Sequence, residues 1–438
     1  MKTYLYNSLF LSSLLLVSGC GSEVQDLSGN PPSILGEPDK GVFISQVEGL
    51  GYTRMLAPTE QLTDKASNYS YRTGELINFH IGNLQLGEAI GLSIISPKEI
   101  VAYKNLDLNT SIYSSEVNNR IRLLMELDDD NTIGIQISQA TRDIAKYWGT
   151  TPNYALDPAD FTSNIFALTN NQINITVTKE EAERYFAESL RCVYSGAYTG
   201  HRLLPDGTHD GFVGVMIQSV DTEDSTSSLG TIVALSDGQE LDGNTSTEEY
   251  LFARGKHNMD NGTYIFDQTG EFKDGGIVPS DANVTGDGTS TGYNYVRGTF
   301  KQLNPQTGLI QEGEYEATRA FEGKDVAYRY TGYGYGLDND NNTSNNPILG
   351  LFAFDINTDG TIEGMIHDAE TGDEPYLSGH VNKATDPISV EMSLLYNGKK
   401  SIISGPLDIN GTVNLTWSVD NQVAGSLGGV GCQLKPLN

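Results

Sequence analysis

Residues 350–366 read GLFAFDINTDGTIEGMI, and this stretch decides the fold class. Two apolar runs, 350–354 and 361–366, each have the length of a β-strand, and the Asn-Thr-Asp-Gly sequence near their junction is typical of a hairpin turn. A single hairpin is marginally stable in water, so it needs further strands around it. The flanking sequence predicts those strands.

From Cys192 to the C-terminus, short apolar runs recur between turns rich in Gly, Asn and Asp, and no long helical period appears. The clearest runs are 211–217, 230–235, 293–300, 313–317, 326–330, 388–393, 412–417 and 422–427. Strands of this length and spacing are typical of an antiparallel meander. We therefore predict that residues 192–438 form an antiparallel β-domain, either a barrel or a sandwich, with recognition expected in its Gly, Ser, Thr and Asp-rich loops.

The N-terminus has the pattern of a bacterial lipoprotein signal peptide. Lys2 precedes an apolar run at 9–16, and Val-Ser-Gly-Cys ends at Cys20. The run is shorter than the roughly 20 residues of a membrane span, so we expect residues 1–19 to be removed and Cys20 to carry lipid, palmitate included. The alternative is ordinary secretory cleavage that leaves a free thiol.

The residue after the lipidated cysteine predicts the destination of the protein. Gly21 is not the Asp that retains lipoproteins at the inner membrane of a Gram-negative cell. We therefore expect lipid anchoring at the cell outer membrane, with the protein facing either the surface or the periplasm. Residues 20–40 are poor in apolar side chains and predict a flexible tether that spans about 25 Å.

Two cysteines remain once Cys20 carries lipid. Export places Cys192 and Cys432 in an oxidising compartment, so we expect them to pair. The bridge would close a loop of about 240 residues and, by chain entropy, stabilise the fold by roughly 5 kcal/mol. We expect it to tie the first strand of the β-domain to the last.

Residues 41–95 show short alternating runs with glycine turns, which predict strands. The runs 47–52 (VEGLGY) and 74–87 (GELINFHIGNLQLG) resemble a small β-sandwich module found near the N-terminus of proteobacterial surface lipoproteins of unknown function. That resemblance covers about fifty residues and implies a transthyretin-like or immunoglobulin-like sandwich. In such families the module is structural and implies no chemistry.

Residues 96–191 predict an α-helical bridge between the two β regions. Four apolar residues repeat on one helical face, namely Val117, Ile121, Leu124 and Met125. Residues 157–168 predict a second helix with Pro158 in its first turn, and Thr178 with Glu181 forms a capping box for a third that leads to Cys192. In the same lipoproteins a helical segment joins the sandwich to a glycine-rich β-domain. The overall expectation is a mainly β protein with a helical bridge.

The formal net charge is −30, from 57 acidic and 27 basic residues. Nucleic acid and anionic lipid surfaces are therefore excluded as electrostatic partners. Solvation explains the acidic excess, and cation binding is the alternative. Asp355, Asn357 and Asp359 match the first half of a calcium loop, but Ile366 stands where a bidentate Glu is needed. Two interpretations stay open: a plain hairpin turn, or a weak Ca²⁺ site. No other cofactor is predicted.

Four tyrosines near residue 330 form the candidate ligand-binding surface. Tyr328, Tyr330, Tyr333 and Tyr335 are expected along one face of a strand. If that face is exposed, it suits stacking on a glycan or contact with a protein ligand. If it is buried, the rings form part of a barrel wall.

No catalytic motif is found, so we expect no enzymatic activity. The six histidines show no metal-ligand spacing, although His201 and His209 flank a turn and could meet across a hairpin. Nucleophile-elbow, P-loop and dinucleotide fingerprints are missing. The first hypothesis is a surface binding or adhesion module, marked by an exposed tyrosine face. The alternatives are an envelope hydrolase acting on glycans, marked by a pocket with two carboxylates or a His–carboxylate pair, and a scaffold of an envelope complex.

Overall fold

A computed structural model gives the structure of the chain beyond residue 37. The described residues are 38–107, 110–129, 134–220, 229–238, 249–273, 276–280, 284–291, 293–303, 310–321, 323, 325–336, 348–368, 373–396, 398–407, 411–434 and 437. Cys20, the predicted signal peptide and the predicted tether up to residue 37 lie outside them. Asp39–Asn438 forms one unit by its internal contacts.

The N-terminal part contains eight short strands. They are β1 (Asp39–Phe43), β2 (Val47–Glu48), β3 (Gly51–Arg54), β4 (Ala57–Leu62), β5 (Asn68–Tyr71), β6 (Leu76–Ile81), β7 (Leu84–Ile90) and β8 (Ile94–Ile95). One sheet has the order β5-β1-β8 and another β4-β3-β6-β7. Aromatic rings from both sheets meet: the ring centroid of Phe79 lies 4.9 Å from that of Phe43 and 5.6 Å from that of Tyr69. The two sheets therefore share one aromatic core.

Five helices and one short strand follow. They are α1 (Pro97–Asn105), α2 (Ser115–Glu126), β9 (Ile135–Gln136), α3 (Gln139–Ala145), α4 (Pro158–Leu168) and α5 (Lys179–Tyr194). The predicted capping box of Thr178 and Glu181 starts α5, and Ser96 with Glu99 forms another at α1. Each box satisfies amide groups that the first helical turn leaves without partners. The capping signals read from the sequence are thus present in the structure.

Helix α2 lies between the N-terminal sheets and the β-domain. Val117, Ile121 and Leu124 on its predicted apolar face are buried. Arg120 and Arg122 are buried as well, because backbone carbonyls satisfy them: Arg120 Nε donates to Leu86 O over 2.7 Å, and Arg122 Nε to Val177 O over 2.8 Å. The helix is therefore held by polar as well as apolar contacts.

The first half of the β-domain is a closed antiparallel barrel of eight strands, called barrel 1 here. Its region holds β10 (Gly196–Leu203), β11 (His209–Ile217), β12 (Gly230–Gly238), β13 (Glu249–His257), β14 (Thr263–Lys273), β15 (Gly276–Ser280), β16 (Val284–Thr291), β17 (Tyr295–Leu303) and β18 (Ile310–Arg319). Strand β10 pairs with β18 and closes the ring. Strand β15 is not counted among the eight strands of the barrel, because β14 also pairs directly with β16.

The second half is another closed antiparallel barrel of eight strands, barrel 2. Its strands are β19 (Val326–Gly336), β20 (Ile348–Asn357), β21 (Thr361–Asp368), β22 (Tyr376–Asn382), β23 (Ser389–Tyr396), β24 (Lys399–Pro406), β25 (Thr412–Val419) and β26 (Gln422–Gln433). Strand β19 pairs with both β20 and β26. The predicted antiparallel β-barrel is confirmed, but the single closed domain expected from the sequence is two barrels.

Glycines allow the close approach of the backbones where each barrel closes. A Cβ on Gly200 of β10 would lie 1.8 Å from the backbone oxygen of Glu316 on β18. A Cβ on Gly332 of β19 would lie 2.2 Å from the backbone oxygen of Gly428 on β26. Both distances are shorter than any real contact, so a larger residue would push the paired strands apart. Closure therefore depends on glycine at these two positions.

The predicted disulfide is present: Cys192 and Cys432 are bonded, with their Cα atoms 5.5 Å apart. One expectation about it is wrong, because Cys192 lies in the last turn of α5 and precedes the first strand of the β-domain. The capped helix runs on to Tyr194 before the chain turns into β10. The bridge therefore joins the helical segment to β26, the last strand of barrel 2.

Candidate functional site

A cleft, called the interdomain cleft here, lies between the N-terminal sheet β5-β1-β8, the end of α5 and the start of barrel 2. Its volume is about 750 Å³, within the range of small-molecule sites, which often lie between domains. The lining residues are Lys40, Val42, Ile44, Asp64, Lys65, Ala66, Asn68, Ser93, Ile94, Val193, Gly323, Asp325, Val326, Arg329, Thr358 and Leu434. Seven separate segments of the chain thus meet here.

The cleft has an apolar floor and a charged rim. Apolar side chains come from β1 and the residue that follows it, and from β8, α5 and β19, namely Val42, Ile44, Ile94, Val193 and Val326. Lys40, Asp64 and Lys65 on the N-terminal side are exposed to solvent. A buried floor with exposed charges at its edge suits a ligand that has both an apolar and a charged part.

The two carboxylates of the rim take part in turns of the protein. Asp64 Oδ1 accepts the amides of Ala66 and Asn68 at 2.9 and 2.8 Å. Asp325 accepts a hydrogen bond from the hydroxyl of Thr358 through its side chain and from the amide of Thr358 through its backbone oxygen. These contacts give both aspartates a structural role in shaping the cleft.

The back wall of the cleft contains a buried ion pair. Arg329 Nε lies 3.1 Å from Asp355 Oδ1, and the two side chains are only 3% and 4% exposed. Arg329 also donates to Val193 O in α5 over 3.1 Å, and the second oxygen of Asp355 accepts the amide of Gly323. Buried charges are stable when they are paired and hydrogen-bonded, which is the case here.

The candidate calcium residues lie in and beside the β20–β21 hairpin. Asn357 Oδ1 accepts the amide of Asp325, and its Nδ2 donates to Thr361. Asp359 accepts from the amide and hydroxyl of Thr361, and these hydrogen bonds hold the pKa of the Asp359 carboxyl below its ordinary value. In the described part of the chain, no three His, Cys, Asp or Glu side chains gather in a group that could hold a metal ion.

The four candidate tyrosines are divided between two faces of β19. Tyr328 and Tyr330 are buried in the core of barrel 2, whereas Tyr333 is half-buried against the cluster between the barrels. Burial raises the pKa of Tyr328 and of Tyr335. The prediction that the rings share one face is wrong. The step from Tyr330 to Tyr333 is three positions, and an odd step changes the face of a strand.

Two other cavities of the described β-domain are a small void in barrel 1 and an open depression on barrel 2. Inside barrel 1 the described side chains enclose a void of about 30 Å³, room for one or two water molecules. Arg202 is buried there with its guanidinium 4.2 Å from the ring centroid of Phe300. A shallow depression of about 590 Å³ lies at one end of barrel 2, beside Pro387 and Leu407. The interdomain cleft is therefore the better candidate.

A His–carboxylate pair is present, but it lies outside the cleft. His367 Nδ1 is 3.1 Å from Glu374 Oε1, and His367 borders a void of only about 10 Å³ between the barrels. A void of this size admits no substrate. His257 is buried in barrel 1, and burial lowers its pKa to about 3. Neither histidine has the access that proton transfer to a ligand requires.

Sequence reasoning singled out no residue of the cleft itself. One signal was present: Arg329 stands in a predicted strand of aromatic and small residues, for which burial in a barrel wall is one of the two alternatives. A buried cation requires a partner, and Asp355 lies opposite it in the next strand. The remaining lining residues come from segments with no common sequence pattern.

Comparisons with known proteins give little further information. No protein-family model and no curated protein matches the sequence. Similar solved structures include a protein designated AttH from Nitrosomonas europaea, 11% identical over 54% of this chain and 90% of that one, with a TM-score of 0.17. Kievitone hydratase from Nectria haematococca is 9% identical over 56% and 90%, with a TM-score of 0.18. Similarities this low support no inference about this chain.

Among the described residues, no helix is both long enough and apolar enough to cross a lipid bilayer.

Proposed function

We propose that this protein is a lipid-anchored binding protein of the bacterial outer membrane, whose ligand lies in the interdomain cleft. The observation that carries the proposal is the cleft of about 750 Å³ with its apolar floor and charged rim. The proposed localisation at the outer membrane rests on Cys20 and Gly21 in the sequence. The tether would leave the cleft accessible from the aqueous side of the membrane.

The chemistry of the lining favours an amphipathic small molecule. Val42, Ile94 and Val193 offer apolar surface, and Lys40 and Lys65 offer two exposed ammonium groups at the edge. Asp64 and Asp325 share this rim, but both carboxylates already accept hydrogen bonds from the protein, so the two ammonium groups are the part of the rim that suits an acidic group of a ligand. The ligand class is therefore a compound with an apolar body and an acidic end.

Glycan binding and hydrolysis fit this lining less well. None of the described lining residues is aromatic, so stacking on a sugar ring has no support in the cleft. The carboxylate of Asp64 accepts hydrogen bonds from its own turn and that of Asp325 from Thr358 in the β20–β21 hairpin, which is a structural role. Binding without chemistry is the function that these contacts support best.

Binding is tested with 1-anilinonaphthalene-8-sulfonate, a fluorescent probe with an apolar body and a sulfonate. The mature chain carrying Cys20→Ala keeps the protein in solution for the titration. Ile94→Trp should fill the floor, and Lys40→Glu with Lys65→Glu should repel the sulfonate, so each change should lower the affinity at least about tenfold. Val423→Trp, at a residue that is 54% exposed on β26, is the matched control.

The outcomes separate the two parts of the proposal. Equal affinity for wild type and the Ile94→Trp variant would place the probe elsewhere and refute the cleft as the site.

Membrane attachment is tested independently by fractionating cells that express the full chain. Cys20→Ala should move the protein to the soluble fraction and abolish labelling by an alkyne-tagged palmitate, whereas retention in the membrane would refute the lipid anchor.

A further inference from the structure

Two histidines contact each other on the outer surface of barrel 1. Neither of them lines the interdomain cleft. His201 lies on β10 and His209 on β11, and their ring centroids are 4.7 Å apart. In the strand register His209 stands opposite Leu203, which places it diagonally from His201 on the same face of the sheet. The contact expected from the sequence is therefore present.

The separation of the two rings matches that of two imidazoles bound to one metal ion. A metal–nitrogen distance of about 2.0–2.1 Å puts each ring centroid about 3.2 Å from the ion. With an angle of about 90° at the metal, as in the square-planar geometry of Cu²⁺ and Ni²⁺, the two centroids would be about 4.5 Å apart, close to the observed distance. The spacing of the two strands is therefore compatible with one ion chelated by both rings.

The surroundings leave the pair accessible to an ion from solution. His209 is exposed and His201 is half-buried. Glu316 stands opposite His201 on β18, where its carboxylate accepts the hydroxyl of Tyr295 over 2.8 Å. Imidazole nitrogens suit Zn²⁺, Ni²⁺ and Cu²⁺ better than the hard cation Ca²⁺.

We propose that His201 and His209 form a two-histidine site for a divalent transition metal, with water in the remaining coordination positions. The site is independent of the interdomain cleft, since it lies on a different barrel from Arg329. Of these metals Cu²⁺ should bind most tightly, following the general order of affinities for divalent ions. The acidic surface would add to the local concentration of cations.

The test is a Cu²⁺ titration of the mature chain carrying Cys20→Ala, followed by electron paramagnetic resonance. We expect one tight site per chain with hyperfine splitting from two nitrogens. His201→Ala and His209→Ala should each weaken this site on the order of 100-fold, because the second imidazole binds as a tethered ligand. His380→Ala is the matched control, since His380 is exposed on β22 of barrel 2.

A second measurement does not depend on variants. Cu²⁺ should protect His209 of the wild-type chain from diethyl pyrocarbonate, while His380 stays reactive. Tight two-nitrogen binding that survives in the doubly substituted His201→Ala, His209→Ala chain would overturn the proposal. So would equal modification of His209 with and without the metal.

Discussion

The ion pair between Arg329 and Asp355 offers the sharpest test of how barrel 2 is held to the rest of the molecule. We expect Asp355→Asn to lower the free energy of unfolding by about 3 kcal/mol, because breaking a buried ion pair typically costs about 3–5 kcal/mol. At an effective dielectric constant of about 20, charges about 3 Å apart attract by about 5 kcal/mol, which is consistent with this range. Asn keeps one acceptor oxygen, so the loss should lie at the lower end.

The chain supplies a matched control in an exposed ion pair. Arg297 Nη2 lies 2.6 Å from Glu314 Oε2, and their side chains are 59% and 52% exposed. This pair is shorter than the buried one, yet solvent screens it, so Glu314→Gln should cost only about 0–1 kcal/mol. Burial rather than distance would then decide the difference between the two variants.

Guanidinium chloride unfolding followed by fluorescence measures both variants. The chain has two tryptophans, Trp148 near the helices and Trp417 on β25, so a Trp148→Phe background makes the signal specific for barrel 2. Midpoint shifts are converted to free energies with the slope of the transition. A loss below about 1 kcal/mol for Asp355→Asn, similar to the exposed control, would refute the reasoning from burial.

Three further predictions concern single features of the fold. Cys192→Ser should lower the free energy of unfolding by roughly 5 kcal/mol, because it opens a loop with a sequence separation of 240; equal denaturation midpoints with and without reductant would contradict this. The pKa of His257 is lowered to about 3 by burial, so the unfolded chain takes up a proton below about pH 6.5 and the folded chain does not. Stability should therefore fall as the pH drops from 6.5 towards 3, by about 1 kcal/mol between pH 6.5 and pH 5.5, and the fall should be smaller in His257→Asn when both are unfolded in urea. Gly200→Ala should cost about 1–3 kcal/mol or more, whereas Gly334→Ala, whose nearest neighbour is 3.9 Å away, should cost much less; equal thermal midpoints would contradict the closure argument.

Local features of the fold could be predicted because their causes are local. The hairpin at 350–366 follows from two apolar runs around a turn, and it forms β20 and β21. The capping box of Thr178 and Glu181 follows from two side chains three residues apart, and it starts α5. In each case the residues that cause the structure are neighbours in the sequence, so the pattern alone is sufficient.

The division into two barrels could not be predicted in the same way. Barrel 1 closes where β10 pairs with β18, and barrel 2 where β19 pairs with β26, so the deciding contacts join strands far apart in the chain. The glycines at these contacts, such as Gly200 and Gly332, look like any other glycine in a β sequence. The sequence predicted the correct disulfide because only two cysteines remain once Cys20 is assigned to the lipid. The number of cysteines could not show that Cys192 lies in the last turn of a helix.

The error over the tyrosines has a simple physical cause. Tyr328 and Tyr330 share a face, and Tyr333 and Tyr335 are separated by the same even step, but the step between the pairs is odd. A strand with a period of two residues must put the two pairs on opposite faces unless a bulge intervenes. The register of β19 does shift, at Gly334/Tyr335, which is after the change of face.

The interdomain cleft combines a rigid wall with an adaptable rim. Three contacts hold its wall in place. The disulfide joins α5 to β26, Arg329 donates a hydrogen bond to Val193 O, and the amide of Leu434 donates one to Ala327 O. Lys40 and Lys65, in contrast, are exposed side chains. A preformed apolar surface lowers the entropic cost of binding, while long exposed lysine side chains can reach acidic groups in different positions. This arrangement fits a binding protein that holds one end of its ligand firmly and accepts variation at the other.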